Sequence, residues 1–460
     1  MAFCSFGETG KIFCRGWESA KRISARPPEA GWQSEVSVRI FAKKSSDFVQ
    51  RSEPGNGQSV NAIDKLSEYA IFALMIARTA RPRLLEMISK YPVLGVLGPR
   101  QSGKTTLVRN AFPDFTYISL ETPDNKEYAT KDPRGFLDRY KSPAIFDEVQ
   151  NVPELFSYIQ ERVDAGGESG QYILTGSQNF ILNEKISQTL AGRIYLINLP
   201  TFTQEELKDE TVDEDWKKYA LKGTYPRIWD KRLTPEEWYP SYIQTYLERD
   251  VRNIKNIPDL RDFQTFLKLC AGRIGQTTIL SSLANEIGVS HNTIKSWISV
   301  LEASYLIFLL KPYYKNFNKR LTKSPKLYFF DTGLAVNLLN ITNPNQIETH
   351  PLKGNIFENL VISEIAKSTI NKGKSDLGYF IRDKTGNEVD YVSEKGGFLS
   401  LVEIKASKTL NTDHLKGIEY WENVIRESRR DSFLVYAGNE EKTFKSTKFI
   451  RWNNISQIIT

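Results

Sequence analysis

A glycine-rich stretch that ends in a lysine and two threonines carries the most specific chemistry in the sequence. From Gly98 it reads Gly-Pro-Arg-Gln-Ser-Gly-Lys-Thr-Thr, a complete match to the pattern G-x4-GK[ST]. Gly98 and Gly103 let backbone N–H groups turn inward around phosphates. Lys104 can reach the β- and γ-phosphates, Thr105 can ligate Mg²⁺, and Thr106 begins a helical stretch whose dipole favours anions. The stretch therefore predicts a nucleotide site with Mg²⁺ beside the phosphates.

Acidic and hydroxyl side chains follow two later apolar runs. Pro143–Phe146 is followed directly by Asp147 and Glu148. At the end of a strand, Asp147 would hold the Mg²⁺ shell and Glu148 would orient or activate the attacking water. An aspartate that only caps the next helix is the alternative. Another strand ends near Thr175 and Ser177, and either hydroxyl could contact the γ-phosphate or the water, although Thr-Gly-Ser is also an ordinary loop.

An arginine that stabilises the transition state is expected in ATPases of this type. Arg193, in Leu-Ala-Gly-Arg, is the first candidate, and Arg249, in Tyr-Leu-Glu-Arg, is the second. Each could instead be a salt-bridged surface arginine. The arginine could act in its own subunit or in the neighbouring subunit of a homo-oligomer. The sequence has no Asn-Lys-x-Asp guanine signature, which favours ATP over GTP as the cofactor.

Two acidic residues and a lysine near the carboxyl end form a second constellation. Asp390 lies in the run Glu-Val-Asp-Tyr-Val, and Glu403 and Lys405 lie in Leu-Val-Glu-Ile-Lys. Residues two apart project from the same face of a strand, and a hairpin would bring Asp390 to Glu403. The two carboxylates could bind Mg²⁺, Lys405 could polarise the attacking water, and Glu358 on the preceding helix could complete the metal shell. This predicts a nuclease-type site; a charged strand pair with a simple ion pair is the alternative.

Short apolar runs alternate with helical stretches around the glycine-rich stretch. Five of these runs are mostly apolar, as expected for strands buried in a parallel sheet. They are Pro92–Leu97, Phe115–Leu120, Pro143–Phe146, Gln171–Thr175 and Arg193–Leu199. Because the intervening stretches are long enough for crossover helices, the sequence predicts a three-layer α/β domain.

Helical periodicity dominates the middle of the chain, which contains a helix-turn-helix pattern. Gly288 allows a sharp turn between two apolar helical faces, and Ser290 is placed to cap the second helix. Tyr305–Leu310 then predicts a strand that begins a wing. The stretch Lys311–Lys326 has six basic residues, no acidic ones and interleaved aromatic side chains, which suits contact with DNA. Winged helices also serve as dimer or interdomain modules, and a basic loop is usually a solvated one.

Composition excludes several other classes of protein. The chain has 460 residues, a net charge of +7, three cysteines and three histidines, and 40% of its residues are hydrophobic. This is a globular composition of a length that suggests two to four domains. So few cysteines exclude a disulfide scaffold and a cysteine-rich zinc module. The longest apolar run is about half of what a spanning helix requires, and a secretory signal pattern is missing. The sequence predicts a cytoplasmic protein with no membrane partner.

The first 74 residues show no sustained period, and regular organisation begins near Met75. We expect Met75 to be the natural start and residues 1–74 to be an extension translated in error. A real, flexible tail is the alternative.

From Met75 to its end the chain resembles the prokaryotic AAA-type ATPases (AAA_14) with a carboxyl-terminal DUF4143 domain. The resemblance rests on a series of short motifs in a specific order. They are the glycine-rich stretch, Phe-Asp-Glu-Val-Gln at 146–150, Thr-Gly-Ser-Gln at 175–178, Leu-Ala-Gly-Arg at 190–193, Tyr-Phe-Phe-Asp-Thr-Gly-Leu at 328–334, Gly-Asn-Ile-Phe-Glu-Asn at 354–359, and the Glu-Val-Asp and Val-Glu-Ile-Lys pair.

The resemblance implies a fold and a domain order. It implies an AAA-like P-loop ATPase domain at 75–205, a helical and winged-helix region at 206–345, and a domain similar to the PD-(D/E)xK nuclease fold at 346–460. The positions that match the two site patterns are, for ATP, Lys104, Thr105, Asp147 and Glu148, and, for the nuclease pattern, Glu358, Asp390, Glu403 and Lys405.

Two functions follow from these observations. The first is an ATP-hydrolysing enzyme that acts on DNA, in which hydrolysis moves the winged helix and the carboxyl-terminal domain. The second is a nucleotide-dependent switch whose nuclease-like domain binds a partner without cutting it. Turnover stimulated by DNA would favour the first function. Slow turnover, with DNA or a partner protein bound only in the ATP state, would favour the second.

Overall fold

The computed structural model describes most of the chain beyond its amino-terminal part. The described residues are 3–6, 12–15, 76–177, 188–211, 215–246, 260–313, 322–425 and 429–458. The chain divides into the units Met1–Ile76 and Ala77–Thr460. In the first unit, β1 (Phe3–Phe6) and β2 (Ile12–Arg15) form an antiparallel pair. Most of the extension predicted at 1–74, together with Met75, lies outside the described residues.

The five strands predicted around the glycine-rich stretch form one parallel sheet in the described part of the second unit. Every observed strand end lies within one residue of its predicted position. The strands are β3 (Val93–Leu97), β4 (Thr116–Ser119), β5 (Ala144–Asp147), β6 (Tyr172–Gly176) and β7 (Ile194–Asn198). Their order is β4-β5-β6-β3-β7, with β3 between β6 and β7. After β3 the chain forms β4 at one edge of the sheet, and β7 later pairs with the opposite side of β3. Such a reversal of strand order leaves a crevice for ligands at the carboxyl ends of the strands.

Helices cover both faces of this sheet, as predicted for three layers. The helices are α1 (Arg81–Ile88), α2 (Lys104–Ala111), α3 (Pro123–Lys131), α4 (Pro133–Arg139) and α5 (Leu155–Gly166). On β3, Val93 and Leu97 belong to one buried cluster, and Leu94 and Val96 to the other. A strand that is buried on both faces explains why its sequence is a continuous apolar run.

Helices fill the middle of the chain and include the predicted turn. They are α6 (Trp216–Lys222), α7 (Pro226–Asp230), α8 (Pro235–Tyr246), α9 (Leu260–Ala271), α10 (Leu280–Ile287) and α11 (His291–Ala303). Gly288 ends α10 at φ 82°, and the Ser290 hydroxyl caps α11 by accepting from the Thr293 N–H at 3.0 Å. A short bridge from Ile274 to Leu327 connects the segment after α9 to the strand pair that follows α11.

A second, mixed sheet has eight described strands. They are β8 (Ile307–Pro312), β9 (Lys326–Phe329), β10 (Tyr379–Arg382), β11 (Glu388–Lys395), β12 (Phe398–Lys405), β13 (Arg429–Tyr436), β14 (Lys442–Phe444) and β15 (Thr447–Arg451). Their order is β14-β15-β13-β12-β11-β10-β8-β9. Because β8 pairs in parallel with β10, the sheet continues across the domain boundary that the sequence places after residue 345.

The long helix α14 (Lys353–Asn371) packs against strands of both sheets, β12 and β9 of the second and β7 of the first. It follows the short helices α12 (Thr332–Leu338) and α13 (Pro344–Thr349), and α15 (Lys416–Val424) covers part of the second sheet. Most α14 side chains are buried on every face. Among the described residues, no helix combines the length and the apolarity that a membrane crossing needs.

Candidate functional site

The phosphate loop leaves β3 and enters α2 along a path that only glycine permits at two points. At Gly98, an added Cβ would lie 2.2 Å from the carbonyl oxygen of Leu199, so a larger residue would push the loop off the neighbouring strand. Gly103 has a φ of 88°, a conformation that L side chains rarely adopt, and α2 begins at the next residue. The glycines predicted from the sequence are therefore required by the backbone.

Lys104 is buried at the first position of α2 and points back over the loop. Its ammonium donates to the carbonyl oxygens of Gly98 at 3.0 Å and Pro99 at 2.8 Å. The charge is thus held inside the concave side of the loop, where phosphate oxygens would lie. Thr106 lies in the same helical turn and is exposed.

Asp147, at the end of β5, accepts hydrogen bonds from three hydroxyl groups. Thr105 donates at 3.0 Å, Tyr117 of β4 donates to Oδ2 at 2.7 Å, and the Thr175 hydroxyl donates to Oδ1. Burial and the Asp147 carboxylate together raise the pKa of Tyr117, so that the phenol stays protonated as a donor. The hydroxyl and carboxylate oxygens lie together beside Lys104, and this donor set fits Mg²⁺.

Glu148 follows in a left-handed conformation, with φ 56° and ψ 48°. Its carboxylate accepts from the Ser177 hydroxyl at 3.0 Å and from the Gln150 amide. Its backbone N–H donates to the Thr175 hydroxyl at 3.3 Å. Of the two hydroxyls at the end of β6, Thr175 therefore donates to the Asp147 carboxylate and Ser177 donates to the Glu148 carboxylate.

The first arginine candidate does not join this group. Arg193 precedes β7 and pairs with Asp164 of α5, with Nη2 to Oδ2 at 2.9 Å. β7 runs parallel to β3, with Ile194 level with Val93, so Arg193 lies at the opposite edge of the sheet from the phosphate loop. Arg193 therefore does not reach the phosphate loop of its own chain, and its action on a neighbouring subunit, which the sequence left open, stays a prediction. Arg249 lies outside the described residues.

The sequence analysis missed Arg78, whose side chain holds the backbone of the phosphate loop. Its guanidinium donates to the carbonyl oxygens of Ser102 at 2.7 Å and Pro200 at 2.6 Å, and pairs with Glu206 at 3.1 Å. Arg78 and Glu206 are both almost fully buried. Tyr117 was missed as well, although its alternation with buried Ile118 along β4 could have indicated a side chain facing the site.

The second predicted constellation also assembles. β11 and β12 form the expected hairpin, with Tyr391 paired to Val402. Asp390 accepts the backbone N–H of Ile404 at 2.8 Å, and the Lys405 ammonium pairs with Glu403 and lies 4.0 Å from Asp390. The hairpin therefore brings together the two acids and the lysine that the sequence singled out.

Lys326 enters the same cluster from β9. Its ammonium pairs with Glu358 at 2.8 Å and with Glu388, and it lies 3.9 Å from Asp390. The side chain is 4% exposed. In the sequence, Lys326 closes the basic stretch that suits DNA, but in the structure it lies inside the protein. Of the other basic residues, those at 314–321 lie outside the described residues, and Lys323 is exposed.

One cavity of about 610 Å³ is lined by the Asp390, Glu403 and Lys405 group and also by Lys326 with its acidic partners. Carboxylates, basic side chains and the segment between α9 and α10 line it. The charged lining residues are Arg273, Lys326, Glu358, Arg382, Glu388, Asp390, Glu403 and Lys405. In the described part of the chain, no group of three or more His, Cys, Asp or Glu side chains stands out as a metal site.

The Glu403 carboxylate has one oxygen with unused bonding capacity. Its Oε2 is buried and has no hydrogen-bond partner in the described structure. An added Cβ at Gly417 of α15 would lie 3.3 Å from this atom and 2.2 Å from the Glu388 carbonyl oxygen, so glycine keeps this side of the cavity open. An orphaned buried carboxylate oxygen beside Asp390 fits a divalent cation at these two acids.

Burial controls the charge state of this cluster. It raises the pKa of Glu358 to about 7 and raises the pKa of Glu403 well above its usual value, in each case with a contribution from the Asp390 carboxylate. Burial alone would lower the pKa of Lys405, but Asp390 and Glu403 raise it overall. Lys405 therefore stays charged at neutral pH.

Comparison with known proteins gives three consecutive family matches. Residues 90–208 match an AAA domain, 213–345 match a domain of unknown function (DUF8612), and 353–455 match a second one (DUF4143). The chain joins an AAA domain to a DUF4143 domain. The AAA domain holds the phosphate loop and Asp147. The carboxylate cavity draws Asp390, Glu403 and Lys405 from DUF4143, and Lys326 from the DUF8612 match.

Similar proteins occur in different bacteria. An uncharacterized protein of Mycobacterium tuberculosis is 29% identical over 341 residues, which are 73% of this chain and 75% of the relative. An uncharacterized protein of Haemophilus influenzae is 22% identical over 362 residues, covering 70% and 86% of the two chains. Among solved structures, a Walker-type ATPase of Pyrococcus abyssi aligns with a TM-score of 0.39 and 18% identity, over 57% of this chain and 96% of that chain.

Proposed function

We propose that this protein hydrolyses ATP at the carboxyl edge of the parallel sheet and acts on DNA through its middle and carboxyl-terminal parts. The observation that carries the ATPase half is the arrangement around Asp147. It accepts from Thr105 and Thr175 while Lys104 lies inside the phosphate loop. ATP and Mg²⁺ are the cofactors that this donor set favours.

The residues of the site divide the work. Lys104 and the loop N–H groups would bind the phosphates, and Thr105 and Asp147 would hold the metal ion. When bound, Mg²⁺ neutralises charge on the phosphate oxygens. Glu148 would accept a proton from the attacking water. Because Glu148 also accepts from Ser177, its position depends on the end of β6.

We also propose that α9 to β9 form a winged helix that contacts DNA. The support is the order of elements, in which α10, a tight turn at Gly288 and α11 are followed by the antiparallel pair β8 and β9. Isolated bridges from Ile274 to Leu327 and from Thr277 to Lys326 add single residue pairs to β9. His291 and Lys295 lie on exposed positions of α11, where a DNA backbone could reach them.

The carboxylate cavity would serve as a nuclease-type centre with Mg²⁺. Asp390 and Glu403 would hold the ion, and Lys405 would polarise the attacking water or stabilise charge on the phosphate. A bound divalent ion would lower the pKa of that water. The role that the sequence analysis gave to Glu358 as a third ligand competes with its bonds from Lys326 and Tyr328.

Plasmid nicking tests the nuclease half of this function. The full chain is incubated with supercoiled plasmid and Mg²⁺ or Mn²⁺, with and without ATP, beside Lys405→Ala and Lys104→Ala. We expect nicking by the wild type and loss in Lys405→Ala. Lys408→Ala serves as the matched control, because Lys408 lines a different cavity. ATP turnover with no nicking under any condition would remove the nuclease activity and leave the ATPase.

A second candidate function is a nucleotide-dependent switch that binds a partner without cutting it. The observation that favours it is the buried Lys326 ammonium, which already pairs with Glu358 and Glu388. A cluster neutralised in this way needs no metal ion for its stability. DNA binding that requires ATP, together with slow turnover and no nicking, would support the switch over the nuclease.

A further inference from the structure

Three carboxylates converge on one ammonium in the carboxylate cavity. Lys326 Nζ lies 2.8 Å from Glu358 Oε1 and 3.9 Å from Asp390 Oδ1, and it also pairs with Glu388. These acids come from α14 and β11, whereas the lysine comes from β9. Carboxylates from two elements thus surround a single positive charge, and carboxylate oxygens are also the ligands that a divalent cation prefers.

The surroundings of Lys326 are built to hold it. The ammonium lies 5.4 Å from the centre of the Phe380 ring, and the Tyr328 hydroxyl donates to the same Glu358 oxygen. β9 is fixed on both sides, by its pairing with β8 and by the bridge from Lys326 to Thr277. A long side chain with a fixed backbone and an aromatic wall is restrained to one position.

We propose that Lys326 is a built-in cation that takes the place of a divalent ion among Glu358, Glu388 and Asp390. The cavity then accepts one divalent ion, at Asp390 and Glu403, and not two. Glu358 is in this arrangement a partner of Lys326 and not a metal ligand. This inference rests on the proposed function in one respect: the single ion that remains is assigned to the proposed metal site at Asp390 and Glu403.

The number of Mn²⁺ ions bound per chain tests the proposal. The nucleotide-free full chain is titrated with Mn²⁺, and free Mn²⁺ is followed by electron paramagnetic resonance. We expect Lys326→Met to bind one ion more than the wild type, and Lys326→Met with Glu388→Gln to lose that ion again. Lys323→Met is the matched control, because Lys323 is exposed and lines a different cavity; it should bind as many ions as the wild type.

Each result decides one of the two proposals. A folded Lys326→Met chain that binds the same number of ions as the wild type overturns the built-in cation. If Lys326→Met unfolds without metal, recovery of its circular dichroism on addition of Mn²⁺ supports the proposal, and failure to recover overturns it. Glu403→Gln is measured in parallel and should lose one ion. If it loses none, the proposed metal site fails, while the difference between Lys326→Met and the wild type still stands.

Discussion

Lys367 of α14 donates to the carbonyl oxygen of Phe202 at 2.8 Å, in the segment that follows the last strand of the AAA sheet. The same ammonium donates to the Thr224 hydroxyl at 3.1 Å and pairs with Glu364. Glu364 in turn accepts the backbone N–H of Gln204 at 2.7 Å. Lys367, Glu364 and Thr224 are buried, so these bonds replace the hydration that the groups lose on folding.

The helix that carries these contacts also reaches the carboxylate cavity. Glu358, about two and a half turns before Lys367, accepts from Lys326 and Tyr328. At the far end of α14, the Asn371 amide donates to the Thr79 hydroxyl at 2.7 Å, just before α1. The polar contacts of this one buried helix thus link the segment after β7 to the carboxylate cavity. We therefore expect that a shift of the segment after β7 would move the charged side chains of the cavity.

Removal of the Lys367 charge tests how much these buried contacts stabilise the fold. Lys367→Met leaves the Glu364 carboxylate buried without its cation, and we expect the free energy of unfolding to fall by about 3–5 kcal/mol. Urea unfolding at pH 7 measures the loss. Lys367→Met combined with Glu364→Gln should lose less than the single variant, because no uncompensated charge remains. Equal losses in the two would show that the pair contributes through packing alone.

Glu148→Gln should separate ATP binding from hydrolysis. The amide keeps the shape of the carboxylate but cannot accept a proton from water, so we expect turnover to fall by roughly 10²–10⁴-fold. Binding of ATP, followed with a fluorescent analogue, should change little. The matched control is Glu154→Gln, an exposed acid at the start of α5, which should keep full turnover. Full turnover in Glu148→Gln would remove Glu148 from the reaction.

Substitution of Arg193, in contrast to Glu148, should leave turnover nearly unchanged. Because it pairs with Asp164 at the far edge of the sheet, we expect Arg193→Ala to change turnover by less than about twofold in a monomeric sample. The rate is measured across a hundredfold range of protein concentration. A large loss that grows with concentration would show that Arg193 acts on a neighbouring subunit. A large loss at every concentration would contradict the placement described for this chain.

The parallel sheet could be predicted closely because burial on both faces makes its central strands, such as β3 and β6, continuous apolar runs. β3 and its neighbours therefore have bounds within one residue of those expected. The directions of the strands also indicate that Arg193 lies far from the phosphate loop. It stands before a strand that was predicted correctly, and the starts of parallel strands lie away from the phosphate loop.

Other parts of the sites depend on contacts between residues distant in sequence. Lys326 belongs to a basic and aromatic stretch typical of a surface, and only its pairing with Glu358, 32 positions later, shows that it is buried. Arg78 lies before the first helix, outside every motif, yet supports the phosphate loop through Ser102. Spacing within a motif cannot reveal such partners, whereas it did bring Asp390 to Glu403 through a short hairpin.

The turn between β10 and β11 depends on Asp383, which stands between Arg382 of the cavity and a tight loop. Its carboxylate accepts the side-chain and backbone N–H groups of Asn387, both at 3.0 Å, the Thr385 hydroxyl at 2.7 Å and the Tyr420 hydroxyl at 2.7 Å. Burial acts to raise the pKa of Asp383, but these hydrogen bonds lower it overall. The folded protein therefore prefers the charged carboxylate.

Asp383→Asn should destabilise the protein by about 1–3 kcal/mol at pH 7, because donors that face the carboxylate lose an acceptor. A lowered pKa stabilises the fold above the unfolded value of 3.8, and that stability is lost as the pH falls through the folded value. The gap between wild type and variant should thus narrow when urea unfolding is repeated at pH 3. Asp413→Asn, at an exposed acid paired with Lys416, should lower the free energy of unfolding much less at pH 7, because solvent screens a surface ion pair. A gap for Asp383→Asn that is equal at the two pH values would show that the turn depends on shape and not on the charge of Asp383.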